Sequence, residues 1–276
     1  MESKLKACLK LKFEPVAVIL THEKPEPALQ FAKARWGCVM QMLAAAAKGK
    51  TSVFDRETYG CMGGAVGLGF GSMYERWPGG VNCFYNFLSI GNAASMPEDK
   101  ARELAEKLTS RVSKEGLDNF LYGERYVKSP ELVKKFVDSL PIVDIEQKYV
   151  AFKPLKDIDP QKDRPEVIVL LANPEQLSAL VVLYNYETEG NTMENVIVPG
   201  GAGCQQIGII AFREARSEKP RAVVGLTDLS ARNEIKKSLG RDLMAFTVPF
   251  RMFLRMENNA EGSFLSMHTW KELTGE

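Results

Sequence analysis

The stretch PEVIVLLANPEQ, residues 165–176, decides the fold class of this chain. Its first part is a nearly continuous apolar run rich in branched side chains, which is typical of a strand buried on both faces of a sheet. The Asn-Pro pair that follows marks a turn, and LSALVVLYNYETEG, residues 177–190, has the pattern of a helix. After the helix comes NVIVPGGAGCQQIGIIAFRE, residues 195–214, which we interpret as a glycine-rich turn around Cys204.

The same order of elements occurs earlier in the chain. The segment EPVAVIL, residues 14–20, predicts a buried strand, and WGCVMQMLAAAAKGK, residues 36–50, predicts a helix. The segment TYGCMGGAVGLGF, residues 58–70, then predicts a second glycine-rich turn, around Cys61. A cysteine therefore accompanies a Gly-Gly pair in both turns. We expect an α+β fold with α/β elements, made of two pseudo-repeated halves.

The predicted boundary between the halves is KYVAFKPLKDIDPQKDRPE, residues 148–166, where a short strand is followed by a charged, proline-rich connection. Residues 1–147 would form the N-terminal half and residues 148–276 the C-terminal half, with one compact domain as the alternative. In this interpretation Cys61 and Cys204 are pseudo-equivalent and face each other across a pseudo-twofold axis.

Other periodic segments predict helices in the N-terminal half. Residues 2–11 form an amphipathic pattern, in which Cys8 is expected to pack in the core. Residues 98–140 are rich in charge and have a helical period, with Ser129 as a cap and Pro130 at the first helical position. We expect these charged helices to cover the core.

The composition excludes several classes of function. The chain has 276 residues, with 36 Lys and Arg against 35 Asp and Glu, so we expect neither a nucleic-acid nor a membrane partner, but a small molecule. Its two histidines, His22 and His268, belong to no zinc or haem motif. We recognise no signal peptide and no apolar run of transmembrane length, which predicts a cytoplasmic protein.

Three of the five cysteines have neighbours that suit metal ligation. Cys61 and Cys204 lie in glycine-rich segments, whose backbone N–H groups are free to donate to the sulfur atoms of an iron–sulfur cluster. Cys38 lies near the start of a helix, where the helix dipole is expected to lower the pKa of its thiol and favour the thiolate. We therefore predict that Cys38, Cys61 and Cys204 are metal ligands.

The ligand count would decide the chemistry of such a site. Three thiolates leave one iron of a four-iron cluster open to a substrate atom, whereas four favour electron transfer. Cys83, in PGGVNCFYNFLSIG, alternates with aromatic residues as in a strand and is either a packing residue or a fourth ligand. The predicted backbone contacts to the cofactor are those of Gly63, Gly64, Gly201 and Gly203.

Two alternatives without a metal stay open. The glycines at 64, 67 and 69 have a spacing that would suit a phosphate, although no complete dinucleotide-binding pattern is present. Alternatively, Cys61 and Cys204 are reactive thiols of a metal-free module that binds a small molecule or senses redox state.

Several blocks of the chain together resemble domain-of-unknown-function family 169, an uncharacterised prokaryotic family. These blocks are GCMGGAVGLGF, PGGVNCFYNFLSIGN, ERYVKSPELVKKFVDSLP, the ANP turn, YNYETEG and PGGAGC. The resemblance implies recurring cysteines at positions that match Cys38, Cys61 and Cys204, whereas the block with Cys83 often has another residue there. It also implies an anaerobic distribution, which suits an oxygen-sensitive cluster, and no established reaction.

These expectations describe a [4Fe–4S] protein with three cysteine ligands and an open iron site. The partner would be a small molecule of anaerobic metabolism. Whether the protein is an enzyme is left open by the sequence. A homodimer is expected from the frequency of twofold oligomers.

Overall fold

A computed structural model describes residues 1–108, 114–190 and 192–275. Within it the chain divides into two compact units. Unit 1 consists of residues 1–70 and 143–276, and unit 2 consists of residues 71–142. In the part of the chain that is described, no helix is both long enough and apolar enough to cross a bilayer.

Unit 1 is built on a single sheet. In chain order its strands are β1 (Val16–Thr21), β2 (Ser52–Phe54), β3 (Tyr149–Pro154), β4 (Pro165–Ala172), β5 (Val196–Ile197), β6 (Ala222–Gly225) and β7 (Met244–Pro249). Their order across the sheet is β2-β3-β1-β4-β7-β6-β5. Neighbouring strands are antiparallel, except that β5 and β6 are parallel. Together with the helices, this mixed sheet confirms the α+β class.

The helices are distributed over both units. In chain order they are α1 (Lys4–Cys8), α2 (Val39–Ala47), α3 (Met62–Gly67), α4 (Val81–Leu88), α5 (Glu98–Leu108), α6 (Lys114–Tyr122), α7 (Pro130–Ser139), α8 (Pro174–Tyr184), α9 (Gly203–Ile207), α10 (Ile209–Ala215), α11 (Leu229–Leu239), α12 (Phe250–Asn259) and α13 (His268–Leu273). Helices α4 to α7 belong to unit 2 and the others to unit 1.

The two most apolar strands, β1 and β4, lie side by side in the middle of the sheet. Because successive side chains of a strand point to opposite faces, their continuous apolar runs are buried on both. On one face, residues such as Ile19 and Leu170 form a core with side chains of α1, α8, α12 and α13. Helices α2, α9 and α10 pack on the other face. The unit therefore has a helix–sheet–helix arrangement.

The transition from β4 to α8 confirms the predicted strand, turn and helix. The side chain of Asn173 accepts a hydrogen bond from the N–H of Gln176, and the side chain of Gln176 accepts one from the N–H of Asn173. This capping box satisfies two backbone donors at the helix start, and Pro174 at the first helical position has no N–H to satisfy.

The charged helices predicted over residues 98–140 are present as α5, α6 and α7, while residues 109–113 of that segment lie outside the described residues. The N–H of Leu132 donates to the hydroxyl of Ser129, and Pro130 begins α7, as expected. The first helix, α1, is shorter than predicted, and Cys8 at its end is half-buried against the core.

The sheet continues across the predicted boundary at residues 148–166. Strand β3 begins at Tyr149 and pairs with β1, and β1 also pairs with β4. Strands from the predicted halves 1–147 and 148–276 therefore share one set of backbone hydrogen bonds. The chain passes from unit 1 to unit 2 between residues 70 and 71 and returns between residues 142 and 143. Unit 2 is therefore an insertion between α3 and β3.

The strand order is symmetric about the pair formed by β1 and β4. On one side of that pair, β1 is followed outward by β3 and β2; on the other side, β4 is followed by β7 and β6. Each of these strands is antiparallel to its neighbour on both sides of the sheet. Along the chain β1 is followed by β2 and then by β3, which lies between them in the sheet. In the same way β4 is followed by β6 and then by β7, which lies between them, and β5 is an addition at one edge. A duplicated unit would give this order; the pseudo-repeat itself stays a prediction.

The glycine-rich segment around Cys61 is expected to be a turn, but its central residues, Met62–Gly67, form helix α3. Glycine disfavours helices, so its presence there needs a packing reason. A Cβ atom on Gly67 would lie 2.7 Å from the backbone carbon of Cys204, and one on Gly208 would lie 1.9 Å from the carbonyl oxygen of Gly67. The glycines therefore allow α3 and α9 to approach backbone to backbone.

The strand predicted around Cys83 is also wrong, because this residue lies in helix α4 of unit 2. The alternation of apolar and aromatic residues fits a helix as well as a strand over so short a segment. Within unit 2, Phe84 stacks on Tyr74 with ring centroids 4.1 Å apart, and Trp77 packs against Phe84 and Phe87. These side-chain contacts favour the helical form.

We expect the Gly208→Ala substitution to lower the free energy of unfolding by about 1–3 kcal/mol, because the new methyl group overlaps the carbonyl of Gly67. Gly200→Ala is the matched control, since a Cβ there meets no atom within 4 Å, and its effect should stay within about 0.5 kcal/mol. Urea unfolding of both variants measures the difference. Equal midpoints for the two variants would contradict the close helix approach.

Candidate functional site

The cysteines predicted as ligands begin three different helices of unit 1. Cys38 and Cys61 are the residues immediately before α2 and α3, and Cys204 is the second residue of α9. All five cysteines of the chain are described, and none forms a disulfide. The predicted position of Cys38 at a helix start is confirmed.

One peptide group links two of these cysteines. The thiol of Cys204 donates to the carbonyl oxygen of Gly63, with 3.3 Å between sulfur and oxygen. The N–H of Gly64 donates to the sulfur of Cys61, with 3.2 Å between nitrogen and sulfur. Because that oxygen and that N–H belong to the same peptide, the two sulfur atoms are separated by at most about 9 Å. Cys61 and Cys204 thus flank the first turn of α3.

The third thiol, that of Cys38, belongs to the same group. Burial raises its pKa to about 12, and the negative charge of Cys61 contributes to the rise. Burial likewise raises the pKa of Cys204 well above its ordinary value, with smaller contributions in the same direction from the charges of Cys61 and Cys38. A Cβ on Gly64 would lie 2.8 Å from a methyl carbon of Val39, the residue after Cys38, and 3.4 Å from the sulfur of Cys61, so the start of α2 lies beside Cys61.

The predicted lowering of the Cys38 pKa at the helix start is wrong. The backbone N–H groups of Met40 and Gln41 do favour the thiolate, as a helix start should. Burial and the neighbouring Cys61 outweigh them. In the metal-free protein both Cys38 and Cys204 are therefore neutral thiols at physiological pH.

Two carboxylates are among the charged groups that act on the buried thiols. The charge of Glu234 raises the pKa of Cys38, and the charge of Asp228 raises that of Cys204. Glu234 also accepts a hydrogen bond of 2.6 Å from the side chain of Gln41, which ties α11 to α2. These two negative charges favour a cation and oppose the phosphate considered from the glycine spacing.

Asp228 is a residue of this site that sequence reasoning missed. It caps α11, where one carboxylate oxygen accepts hydrogen bonds from the N–H groups of Ser230 and Ala231. The other oxygen accepts a 2.9 Å hydrogen bond from the N–H of Gly203, the residue before Cys204. An Asp just ahead of an amphipathic helix is a recognisable cap signal, but only the fold brings it beside Cys204.

The other two glycines predicted as cofactor contacts, Gly201 and Gly203, lie on either side of Ala202, the residue before α9, and their contact with a cofactor stays a prediction. The N–H of Gly203 is taken by Asp228, and a Cβ on Gly203 would lie 3.1 Å from Ala231 of α11 and 3.3 Å from Met40 of α2. Gly203 therefore lets three helices meet. Gly201 has a positive φ of 134°, and its carbonyl accepts a hydrogen bond from the side chain of Gln206.

Among residues 1–108, 114–190 and 192–275, no three Cys, His, Asp or Glu side chains are placed to hold a single metal ion. A four-iron cluster differs from one ion, because its thiolate ligands stand roughly 6–7 Å apart. Three neighbouring thiols, with the N–H of Gly64 beside them, form a donor set that suits such a cluster. On ligation, the hydrogen bond from Cys204 to Gly63 would be exchanged for a bond to metal.

Cys83 is not part of this group of described contacts. It is a buried residue of unit 2, and a Cβ on Gly79 would lie 2.4 Å from its sulfur. Such tight surroundings support the interpretation of Cys83 as a packing residue.

Comparison with known proteins gives one match. The model of a family described as uncharacterised ArCR, domain of unknown function 169, matches residues 4–259 of the 276. This confirms the resemblance noted from the sequence blocks. Neither the curated proteins nor the solved structures compared with the chain match it.

We expect Cys38 and Cys204 of the reduced, metal-free protein to resist iodoacetamide at about pH 8. A pKa of about 12 instead of 9.0 lowers the thiolate fraction of Cys38 by roughly a thousandfold at that pH, and reactivity returns only as the pH rises toward that pKa. Mass spectrometry of native and urea-unfolded samples measures the rates, with the unfolded protein as the reference. Rapid alkylation of native Cys38 would mean that its thiol is not buried as described.

Proposed function

Since the chain belongs to domain-of-unknown-function family 169, an uncharacterised family, we propose a function from its own residues: it binds a [4Fe–4S] cluster through Cys38, Cys61 and Cys204. The observation that carries the proposal is the grouping of three thiols, each from the start of a different helix, among carboxylates and backbone groups. Buried thiolates need a cation to offset their charge, and iron supplies it.

The chain's own groups have definite roles in this proposal. Each of the three thiols gives up its proton on ligation, so cluster binding should release protons and tighten as the pH rises. The N–H of Gly64 stays directed at the sulfur of Cys61 and stabilises its negative charge. With three thiolates bound, the cluster supplies one iron that lacks a thiolate and serves as a Lewis acid or electron relay.

A small molecule of anaerobic metabolism is the partner in this proposal, bound or acted on at that iron. A reducing location such as the cytoplasm, where thiols stay unpaired, belongs to the same proposal. A homodimer completes the proposal, on the frequency of twofold assemblies.

The alternative is a metal-free module that binds a small molecule or senses redox state through reactive thiols. Sensor cysteines are accessible and have a low pKa. Here burial raises the pKa of Cys38 and of Cys204, and Cys204 is buried. These properties favour metal ligation over thiol chemistry.

We expect anaerobic reconstitution with iron and sulfide to give a brown protein with a broad absorption band of sulfur-to-iron charge transfer. The single variants Cys38→Ser, Cys61→Ser and Cys204→Ser should each lower bound iron and sulfide to less than about a tenth of the wild-type amount, because a cluster held by two thiolates is not retained. Iron and sulfide assays on the desalted protein give these amounts.

Cys8→Ser and Cys83→Ser are the matched controls, since they remove a thiol of the same chain outside the group. Both should keep the wild-type iron content, and circular dichroism should show that all variants fold. A colourless wild-type protein without iron would exclude the proposal. In that case a disulfide formed between Cys61 and Cys204 by mild oxidation would support the redox-sensing alternative.

A further inference from the structure

The helices around the cysteine site follow the symmetry of the sheet. Helix α2 lies between β1 and β2 along the chain. Between β4 and β6, which occupy the matching places in the sheet, lie α8, β5, and then α9 and its continuation α10, which pack on the same face of the sheet as α2. Helix α3 lies between β2 and β3, as α11 lies between β6 and β7. The symmetry therefore pairs α2 with α9 and α3 with α11.

Packing between these helices agrees with the pairing. Helix α3 packs on α9, and α2 packs on α11. Replacing each helix by its counterpart turns the first contact into the second, as the symmetry requires. Helices α2 and α9 also touch each other, with Gly203 against Met40. The four helices thus form one arrangement around the thiols.

This pairing changes which residues correspond to one another. It relates the helix that follows Cys38 to the helix that contains Cys204, rather than Cys61 to Cys204 as the glycine motifs indicate. The counterpart of Cys61 becomes Asp228: each is the residue before its helix, and each side chain accepts a hydrogen bond from the N–H of the third helical residue, Gly64 or Ala231. Cys38 precedes α2 and Cys204 is the second residue of α9, so three of the four helix starts carry a thiol and the fourth carries a carboxylate.

The geometry points to Asp228 as the fourth protein ligand of the cluster. The inference rests on the proposed function and names the group that meets the iron without a thiolate. Asp228 is half-buried, its charge acts on Cys204, and its oxygen is held by the N–H of the residue next to Cys204. A carboxylate binds iron in such clusters less firmly than a thiolate, so a small molecule displaces it more readily.

The test compares Asp228→Asn, Asp228→Cys and Glu234→Gln with the wild type after anaerobic reconstitution. Asparagine is as good a helix cap as aspartate, but its single oxygen can accept from the cap N–H groups or from the N–H of Gly203, not from both, and its neutral amide is a poor iron ligand. Asp228→Cys also lacks the second oxygen, so it controls for the loss of the Gly203 contact. Cysteine reproduces the cap that Cys61 makes on α3 and offers a thiolate. Glu234→Gln removes a carboxylate that acts on Cys38 while leaving Asp228 intact.

Each protein is exposed to a mild chemical oxidant, and the [3Fe–4S] signal is followed by electron paramagnetic resonance with iron counted before and after. We expect Asp228→Asn to lose its fourth iron at least about tenfold faster than the wild type. Glu234→Gln should match the wild type, and Asp228→Cys should lose iron no faster. Thermal melting of the metal-free variants checks that each one folds.

The outcomes separate the two proposals. Equal rates of iron loss in Asp228→Asn and wild type would overturn the role of Asp228 while leaving a three-cysteine cluster in place. Equal acceleration in Asp228→Asn and Glu234→Gln would also overturn it, because charge alone would then explain the effect. A wild-type protein that takes up no iron and sulfide would overturn the proposed function, and the inference with it.

Discussion

The backbone contact between α3 and α9 is the constraint on which the candidate site depends. Gly67 and Gly208 leave no room for a Cβ where the helices touch, and the thiol of Cys204 reaches the peptide between Gly63 and Gly64 across this contact. A larger residue at either contact glycine would separate the helices and, with them, Cys61 from Cys204. The conformational cost of glycine inside α3 is offset by this approach.

Burial gives the thiols their chemistry. A buried thiolate is unstable without a nearby positive charge, and the charged groups that raise the pKa values of Cys38 and Cys204 are other thiols and carboxylates. In the metal-free protein these thiols are consequently protonated. Ionisation of the thiols and metal binding would therefore be coupled. The cation stabilises the thiolates, and the thiolates bind the cation.

The symmetric sheet explains how residues far apart in sequence reach one place. Because β1 and β4 pair antiparallel at the centre, helices that follow corresponding strands are brought toward the same part of unit 1. Cys38 and Cys204 then lie near the starts of their helices, and Cys61 and Asp228 are each the residue before a helix. Unit 2 is inserted between α3 and β3, where it interrupts the sequence of the first half but not the strand order.

The sequence by itself determined the features that rest on local interactions. The apolar runs of β1 and β4, the cap at Ser129 and the start of α8 depend on residues within one turn or strand, so their patterns predict them. The positions of Cys38, Cys61 and Cys204 near glycines or helix starts were visible for the same reason.

Only the tertiary structure decided the rest. The helical form of α3, the strand order, the high pKa of Cys38 and the place of Asp228 beside Cys204 each depend on contacts between distant segments. The helix start predicts a lowered pKa for Cys38, but burial by the fold is the larger effect and reverses the sign. A linear pattern shows which residues are present, whereas desolvation and the approach of two backbones exist only once the chain has folded.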